Sequence, residues 1–456
     1  MPVNPLIFRA YDIRGLVDTD LTPDCVQRIG LALGALYPHT PPVVIARDGR
    51  RSSLALAEAL GAGLAASGRS VVDIGEVPTP VLYYATHVLE TGAGVMVTGS
   101  HNPPEYNGLK IMMDGKTLFG EALQAICRHI QEGPARAPEG QRHEDAVLER
   151  YLDEVCADVR LSRPLRIAID CGNGVAGPVA MALFSRLGCE VESLYCEVDG
   201  DFPNHHPDPS VPENLRDLIA CVRQGQLDLG LAFDGDGDRL GVVDERGRVL
   251  WPDRQMMLYS RDVLSQHPGG RVVFDVKCSK NLRSVIEQAG GEAVMWKTGH
   301  SLIKDKMAET GAVLGGEMSG HVFFKDRWYG FDDALYSAAR LLEILSRERL
   351  AASQLFDTLP DDICTPEIVV RLNQDGDQHA FMEAFGQQVR LPGAQVLTID
   401  GVRAEYAMGW GLVRASNTTP ALVLRFEARD QAALQDVQAA FRAQLLSVDA
   451  GLELPF

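Results

Sequence analysis

Short apolar runs alternate with amphipathic stretches over the first three-quarters of the chain. Val43 to Ala46, Val71 to Ile74 and Gly94 to Val97 have the length and apolar content of buried strands. Ser53 to Ala66 and Glu121 to Ile130 carry helical spacing. Residues 133–140, rich in Pro, Gly and Ala, read as a boundary. A second block has strands Arg166 to Asp170, Val191 to Tyr195 and Leu229 to Phe233, and a third has Val272 to Val276, Ala293 to Trp296 and Ala312 to Leu314. After about Asp361 the pattern changes. Short strands crowd between Val396 and Phe426, and a helix closes the chain from Asp430 to Leu445. The expected fold class is α/β: three tandem mixed α/β domains of similar topology (1–146, 147–248, 249–360) and a smaller C-terminal α+β domain (361–456).

One unit recurs within this pattern. Val95 to Val97 leads into Thr98-Gly99-Ser100-His101-Asn102, then apolar Leu109 to Met113. Leu229 to Phe233 leads into Asp234-Gly235-Asp236-Gly237-Asp238-Arg239, then Leu240 to Val243. Ala312 to Leu314 leads into Gly316-Glu317-Met318-Ser319-Gly320-His321, then Val322 to Phe324. Each is a strand, a polar Gly-containing loop and a second strand. Loops at strand ends are where sheets of this kind place their chemistry.

Composition narrows the picture. A chain of 456 residues is too long for one hydrophobic core. The net charge of -19 argues against nucleic acid or an anionic membrane surface as partner. A phosphorylated small molecule remains open, because a cleft on an acidic protein can be locally positive. No apolar run approaches the length of a membrane span, and Met1 to Arg14 lacks the basic-then-apolar pattern of a signal peptide. Nine scattered cysteines without a CxxC pair fit reduced thiols in a cytoplasmic protein.

The Asp234 loop carries the sharpest chemical signal. Three carboxylates alternate with small residues, and gathering them requires a cation; oxygen-only ligands suit Mg²⁺ or Ca²⁺. An EF-hand register ending at Glu245 is a rival, but Arg239 stands where that loop needs Gly, and both flanks read as strands. Ser100 alone reads as a turn residue. Beside His101, Asn102 and Lys110 it also suits nucleophilic phosphoryl transfer. Glu317, Ser319 and His321 form either a structural turn or a set that grips sugar hydroxyls. Arg414-Ala415-Ser416-Asn417-Thr418-Thr419-Pro420 is either a polar hairpin or an oxyanion cradle. Tyr11-Asp12-Ile13-Arg14-Gly15 is a surface turn or presents Arg14 to a phosphate. Lys277 and His300 are solvated or line a cleft.

One motif points elsewhere. Gly172-Asn173-Gly174-Val175-Ala176-Gly177 follows a strand and precedes a helix, with Glu192 and Glu197 near the place of a ribose-binding acid. That is a dinucleotide-binding fingerprint, implying an NAD-dependent oxidoreductase. A tight strand-to-helix turn explains the glycines equally well.

Taken in order, the Ser100, Asp234, Gly316 and Arg414 loops, with Tyr11 to Gly15, resemble the α-D-phosphohexomutases, most closely the bacterial phosphomannomutase/phosphoglucomutase branch. Met318 separates them from phosphoglucosamine mutases, the alternative, which usually have Gln there. The resemblance implies four domains around a central cleft and exchange of a phosphoryl group between C1 and C6 of mannose or glucose. Ser100 matches the phosphoserine, and Asp234, Asp236 and Asp238 match the Mg²⁺ ligands, with the serine phosphate as a further ligand. Glu317 and Ser319 match the binders of sugar hydroxyls. Arg414, Ser416, Asn417 and Thr418 match the loop holding the non-reacting phosphate. Tyr11, Arg14, His101, Lys110, Arg239, Lys277, His300 and His321 match other cleft residues. Lys110 and His321 are candidates for proton transfer. A hexose 1,6-bisphosphate is the implied intermediate and activator, sugar phosphates are the implied partners, and a monomer or weak dimer is expected.

Overall fold

The computed structural model describes residues 3–456 except Thr40, Asp375, Asn417 and Thr418. Four sheets follow one another along the chain. The main path of the first runs Ile13–Leu16, Tyr106–Met113, Gly94–Val97, Val43–Arg47, Val71–Glu76, Arg142–Glu144. The second runs Val249–Leu250, Leu240–Asp244, Leu229–Phe233, Arg166–Asp170, Glu190–Leu194. The third runs Glu292–Trp296, Arg271–Asp275, Leu314–Gly316, Val322–Phe324. The fourth is antiparallel and built around the long pair Gly409–Ala415 and Ala421–Ala428.

The recurring unit is a hairpin grafted on a parallel sheet. Gly94–Val97 pairs parallel with Val43–Arg47 and antiparallel with Tyr106–Met113. Leu229–Phe233 pairs parallel with Arg166–Asp170 and antiparallel with Leu240–Asp244. Leu314–Gly316 pairs parallel with Arg271–Asp275 and antiparallel with Val322–Phe324. In all three layers the polar loop leaves the carboxyl end of a parallel strand, the usual place for ligands in such sheets.

Three details depart from the sequence reading. Residues 133–140 do not end the first layer, because Arg142–Glu144 returns and pairs parallel with Val71–Glu76. The strand expected to reach Tyr195 stops at Leu194, since Tyr195 turns to φ 52°. The strand expected at Ala312 to Leu314 is Leu314–Gly316. Its glycines look like loop in the sequence but are packing positions. A Cβ on Gly316 would lie 2.3 Å from the Met256 sulfur, and one on Gly315 would lie 2.4 Å from that of Met307.

The Gly172 to Gly177 turn is explained by the same kind of crowding. A Cβ on Gly174 would lie 2.8 Å from the Gly235 carbonyl, and one on Gly177 2.0 Å from the Cys196 carbonyl. The glycines let this turn press against the Asp234 loop, where the Val175 N–H donates to the Gly235 carbonyl at 3.2 Å. Gly177→Ala is expected to lower stability by about 1–3 kcal/mol, read as a fall in the urea midpoint. An unchanged midpoint would contradict this contact.

The first three layers share one apolar core, running from Val44 and Tyr83 through Phe184 and Phe233 to Phe274 and Leu342. Aromatic rings seal their junction: Trp328 stacks on Tyr336 at 4.5 Å and on Tyr84 at 6.0 Å. The fourth layer has its own core around Phe385, Phe426 and Phe441. It is tied to the third by buried polar contacts. Arg403 lies over the Trp410 ring at 3.7 Å and donates to the carbonyls of Val276 at 2.6 Å and Cys278 at 2.7 Å. Among the described residues no helix is long and apolar enough to cross a membrane, and all nine cysteines are free.

Candidate active site

The first two layers meet at Ser100. The residue is buried and adopts φ 48°. Its N–H donates to the Thr98 hydroxyl at 2.8 Å, and its Oγ donates to Asp234 Oδ2 at 3.0 Å. The other Asp234 oxygen accepts the N–H groups of Asp238 at 3.0 Å and Arg239 at 3.1 Å, which curls the loop. Asp236 accepts from the Thr79 hydroxyl at 2.5 Å. Lys110 Nζ donates to Asp236 at 2.6 Å and also to Asp238.

The residues present fit a divalent cation. One oxygen from each of Asp234, Asp236 and Asp238 lies within 4.8 Å of the others, and all three side chains are fully buried. Among the described residues nothing donates to Asp236 Oδ1. Hard carboxylate donors suit a divalent cation such as Mg²⁺ or Ca²⁺. Burial raises all three acids, and the neighbouring carboxylates push Asp234 further above the usual range. Burial is the largest influence on Asp236 and Asp238 too, but Lys110 and Thr79 together at Asp236, and Lys110, His321 and Arg239 together at Asp238, bring both below the usual range. The EF-hand register fails, because antiparallel strands flank the loop and Glu245 instead accepts the Ser353 N–H at 2.9 Å.

The third layer's loop reaches the same place. His321 Nε2 lies 3.3 Å from Asp238, and its Nδ1 lies 2.9 Å from the Ser319 hydroxyl and 3.2 Å from Glu317. Burial opposes a charge on this imidazole, but Asp238 and Glu317 outweigh it and raise it to about 9. Arg239 Nε approaches His321 at 3.4 Å, and His300 stacks on it at 5.5 Å between ring centres. Glu317 accepts the Gly299 N–H at 2.5 Å.

Arg14 donates to Asp12 at 2.8 Å and to the Asn102 side chain, so it is held against the Ser100 loop. His101 Nδ1 lies 3.0 Å from Asp208. Partial burial and the Arg239 guanidinium push its imidazole down to about 4 despite that carboxylate.

The fourth layer joins through a chain of contacts. Arg414 donates to Asp400 at 3.0 Å, Asp400 accepts the Thr298 N–H at 3.1 Å, and the Tyr11 hydroxyl donates to the Thr298 carbonyl at 2.7 Å. Lys277 pairs with Glu367 at 3.1 Å. Ser416 shares a hydrogen bond with Thr419 at 3.0 Å. Asn417 and Thr418 lie outside the described residues. Ser100, the Asp triplet, Lys110, Arg239 and the His321 loop thus form one connected network, while Arg414 and Lys277 flank it across the Thr298 segment.

Sequence reasoning missed several members. Thr79, Asp208, Asp332 and Asp400 lie in unremarkable stretches, yet each orients a site residue. Arg50 lies beneath the Ser100 loop with its guanidinium fully engaged. An Asp-Gly-Arg turn directly after the strand Val43–Arg47 was the available signal.

Three layers that each bring a loop to one cluster define an enzyme with a composite site on repeated α/β units. Comparison with known proteins gives the same class. The chain matches phosphoglucomutase/phosphomannomutase alpha/beta/alpha domain I over residues 5–137, domain II over 149–247, domain III over 251–363 and the C-terminal domain over 365–444. It is 53% identical over 452 residues to a phosphomannomutase/phosphoglucomutase of Pseudomonas putida, covering 99% of this chain and 97% of the relative. It is 50% identical over 446 residues to a phosphoglucomutase of Neisseria gonorrhoeae, covering 97% of each. A crystal structure of a phosphoglucomutase/phosphomannomutase family protein from Burkholderia thailandensis superposes with TM-score 0.95 at 46% identity, covering 100% of both chains.

The chain belongs to the phosphoglucomutase/phosphomannomutase family, the α-D-phosphohexomutases, and is an isomerase. The dinucleotide reading of Gly172 to Gly177 is not needed.

Proposed function

We propose that this chain interconverts the 1- and 6-phosphates of mannose or glucose, using Ser100 as a phosphoryl carrier and a hexose 1,6-bisphosphate as intermediate. The observation that carries the reading is the Ser100 Oγ contact of 3.0 Å to Asp234, inside the buried carboxylate cluster. Asp234, Asp236, Asp238 and the serine oxygen would hold Mg²⁺, which when bound offsets the charge developing on the transferred phosphoryl group.

The chain's own residues do the rest. Arg14 and Lys110 present positive charge to the phosphoryl oxygens. A sugar hydroxyl attacks phosphorus, the bond to Ser100 Oγ breaks, and the hydroxyl proton ends on the released Ser100 Oγ. The bisphosphate then turns over, Ser100 attacks the other phosphate, and the departing sugar oxygen takes up a proton. His321, beside Asp238 and Glu317, and Lys110 are the candidates to relay that proton. Glu317 and Ser319 hold sugar hydroxyls in both orientations. Arg414 and Ser416, with Asn417 and Thr418, hold the phosphate that is not reacting. The working partners are sugar phosphates, and the free thiols suit the cytoplasm.

Intact-protein mass spectrometry with peptide mapping, after incubation with glucose 1,6-bisphosphate, tests this. One phosphate on the peptide containing Ser100, discharged by mannose 1-phosphate with appearance of mannose 1,6-bisphosphate, is expected. Turnover with no phosphate ever found on that peptide would overturn it.

A further inference from the structure

Below the Ser100 loop lies an arginine whose every donor is used. Arg50 is 4% exposed. Its Nε donates to Asp48 at 3.2 Å. One terminal nitrogen donates to the carbonyls of Pro103 at 2.7 Å and Tyr106 at 3.0 Å. The other donates to the carbonyls of Ser100 at 2.8 Å and Asn102 at 2.6 Å. Five N–H groups meet five acceptors, the full capacity of a guanidinium.

The loop needs such a clamp. Ser100 sits at φ 48°, a conformation that costs an L-residue roughly 1–2 kcal/mol. The carbonyls of Ser100, Asn102, Pro103 and Tyr106 converge on one point, and their dipoles repel unless a cation gathers them. The fit is close: a Cβ on Gly99 would lie 2.4 Å from the Arg50 guanidinium carbon. From the other side, a Cβ on Gly235 would lie 2.3 Å from the Ser100 carbonyl oxygen. That carbonyl therefore sits between the guanidinium and the Asp234 loop. Asp48 ties the same corner together, accepting the Gly99 N–H at 3.1 Å.

We propose that Arg50 is a positioning residue for phosphoryl transfer: by gathering four loop carbonyls it holds Ser100 in its left-handed conformation and fixes Oγ against the carboxylate cluster. This rests on Ser100 being the phosphoryl carrier. Arg50 touches neither substrate nor the reacting atoms. Lysine cannot replace it, since one ammonium has three donors radiating from a point and no planar fork.

The test compares Arg50→Lys and Arg50→Ala with wild type and with Ser100→Ala. Measured are kcat, KM for mannose 1-phosphate, the thermal midpoint, and the single-turnover rate of Ser100 phosphorylation by glucose 1,6-bisphosphate, followed by intact mass. For Arg50→Lys, kcat and the phosphorylation rate should fall together by about 100-fold, the cost of an ångström-scale misplacement, with KM little changed. Low millimolar guanidinium chloride should restore part of the kcat lost in Arg50→Ala. Three results would overturn the proposal: kcat of Arg50→Lys within a few-fold of wild type, a loss that vanishes once corrected for the folded fraction, or a raised KM with an unchanged phosphorylation rate. A Ser100→Ala variant that still turns over would instead sink the carrier reading, whatever Arg50 does.

Discussion

Ser100→Ala is expected to fold normally and to lose turnover by roughly 10⁴- to 10⁶-fold, the scale seen when a covalent nucleophile is removed. The structural cost is small. The variant gives up one hydrogen bond, worth about 1 kcal/mol, to Asp234. Alanine can keep φ 48° at the same strain as serine, because the Arg50 clamp and the Thr98 hydroxyl act on the backbone. The chemical cost is total for this route, since among the described residues no other oxygen is hydrogen-bonded to Asp234 in the place of Oγ. A coupled assay for conversion of mannose 1-phosphate, run beside a thermal melt, separates the two. Near wild-type turnover would remove the phosphoserine route.

Chelation should have the next largest effect. Dialysis against EDTA is expected to lower kcat by roughly 10²- to 10³-fold or more, the scale of losing one preorganised electrostatic contact in the transition state. Added Mg²⁺ should restore it. The Asp triplet is fully buried and can serve catalysis only when its charge is matched. Lys110, Arg239 and His321 lie against it within the chain, but only a metal ion could be coordinated by the carboxylates and a phosphoryl oxygen at once. Full activity in chelator, with metal content checked by elemental analysis, would contradict the assignment.

Much of the frame is readable from the sequence because each layer repeats one local pattern: an apolar strand, a polar Gly-containing loop, a second apolar strand. That pattern survives folding, as the three hairpins show. The glycines of Leu314–Gly316 are harder, because their reason is the neighbouring methionines Met256 and Met307 rather than a turn. Site residues divide in the same way. The Asp234 loop announces itself, since three carboxylates in register have few other uses. Ser100 does not, and reads locally as a turn residue. Its standing comes from residues far along the chain. Thr79 and Asp208 are silent for a related reason: Thr79 meets Asp236 across 157 positions, and His101 meets Asp208 across 107. Arg50 is silent because sequence does not separate a buried arginine from a solvated one.

Lys110 gives the carboxylate cluster a tethered counter-ion. Its ammonium already bridges Oδ2 of Asp236 and of Asp238, which leaves the Oδ1 atoms of both for an ion they would hold. Shortening or neutralising that side chain should tighten apparent Mg²⁺ affinity even as it slows the reaction, a pairing of effects that an ordinary ligand mutation would not produce.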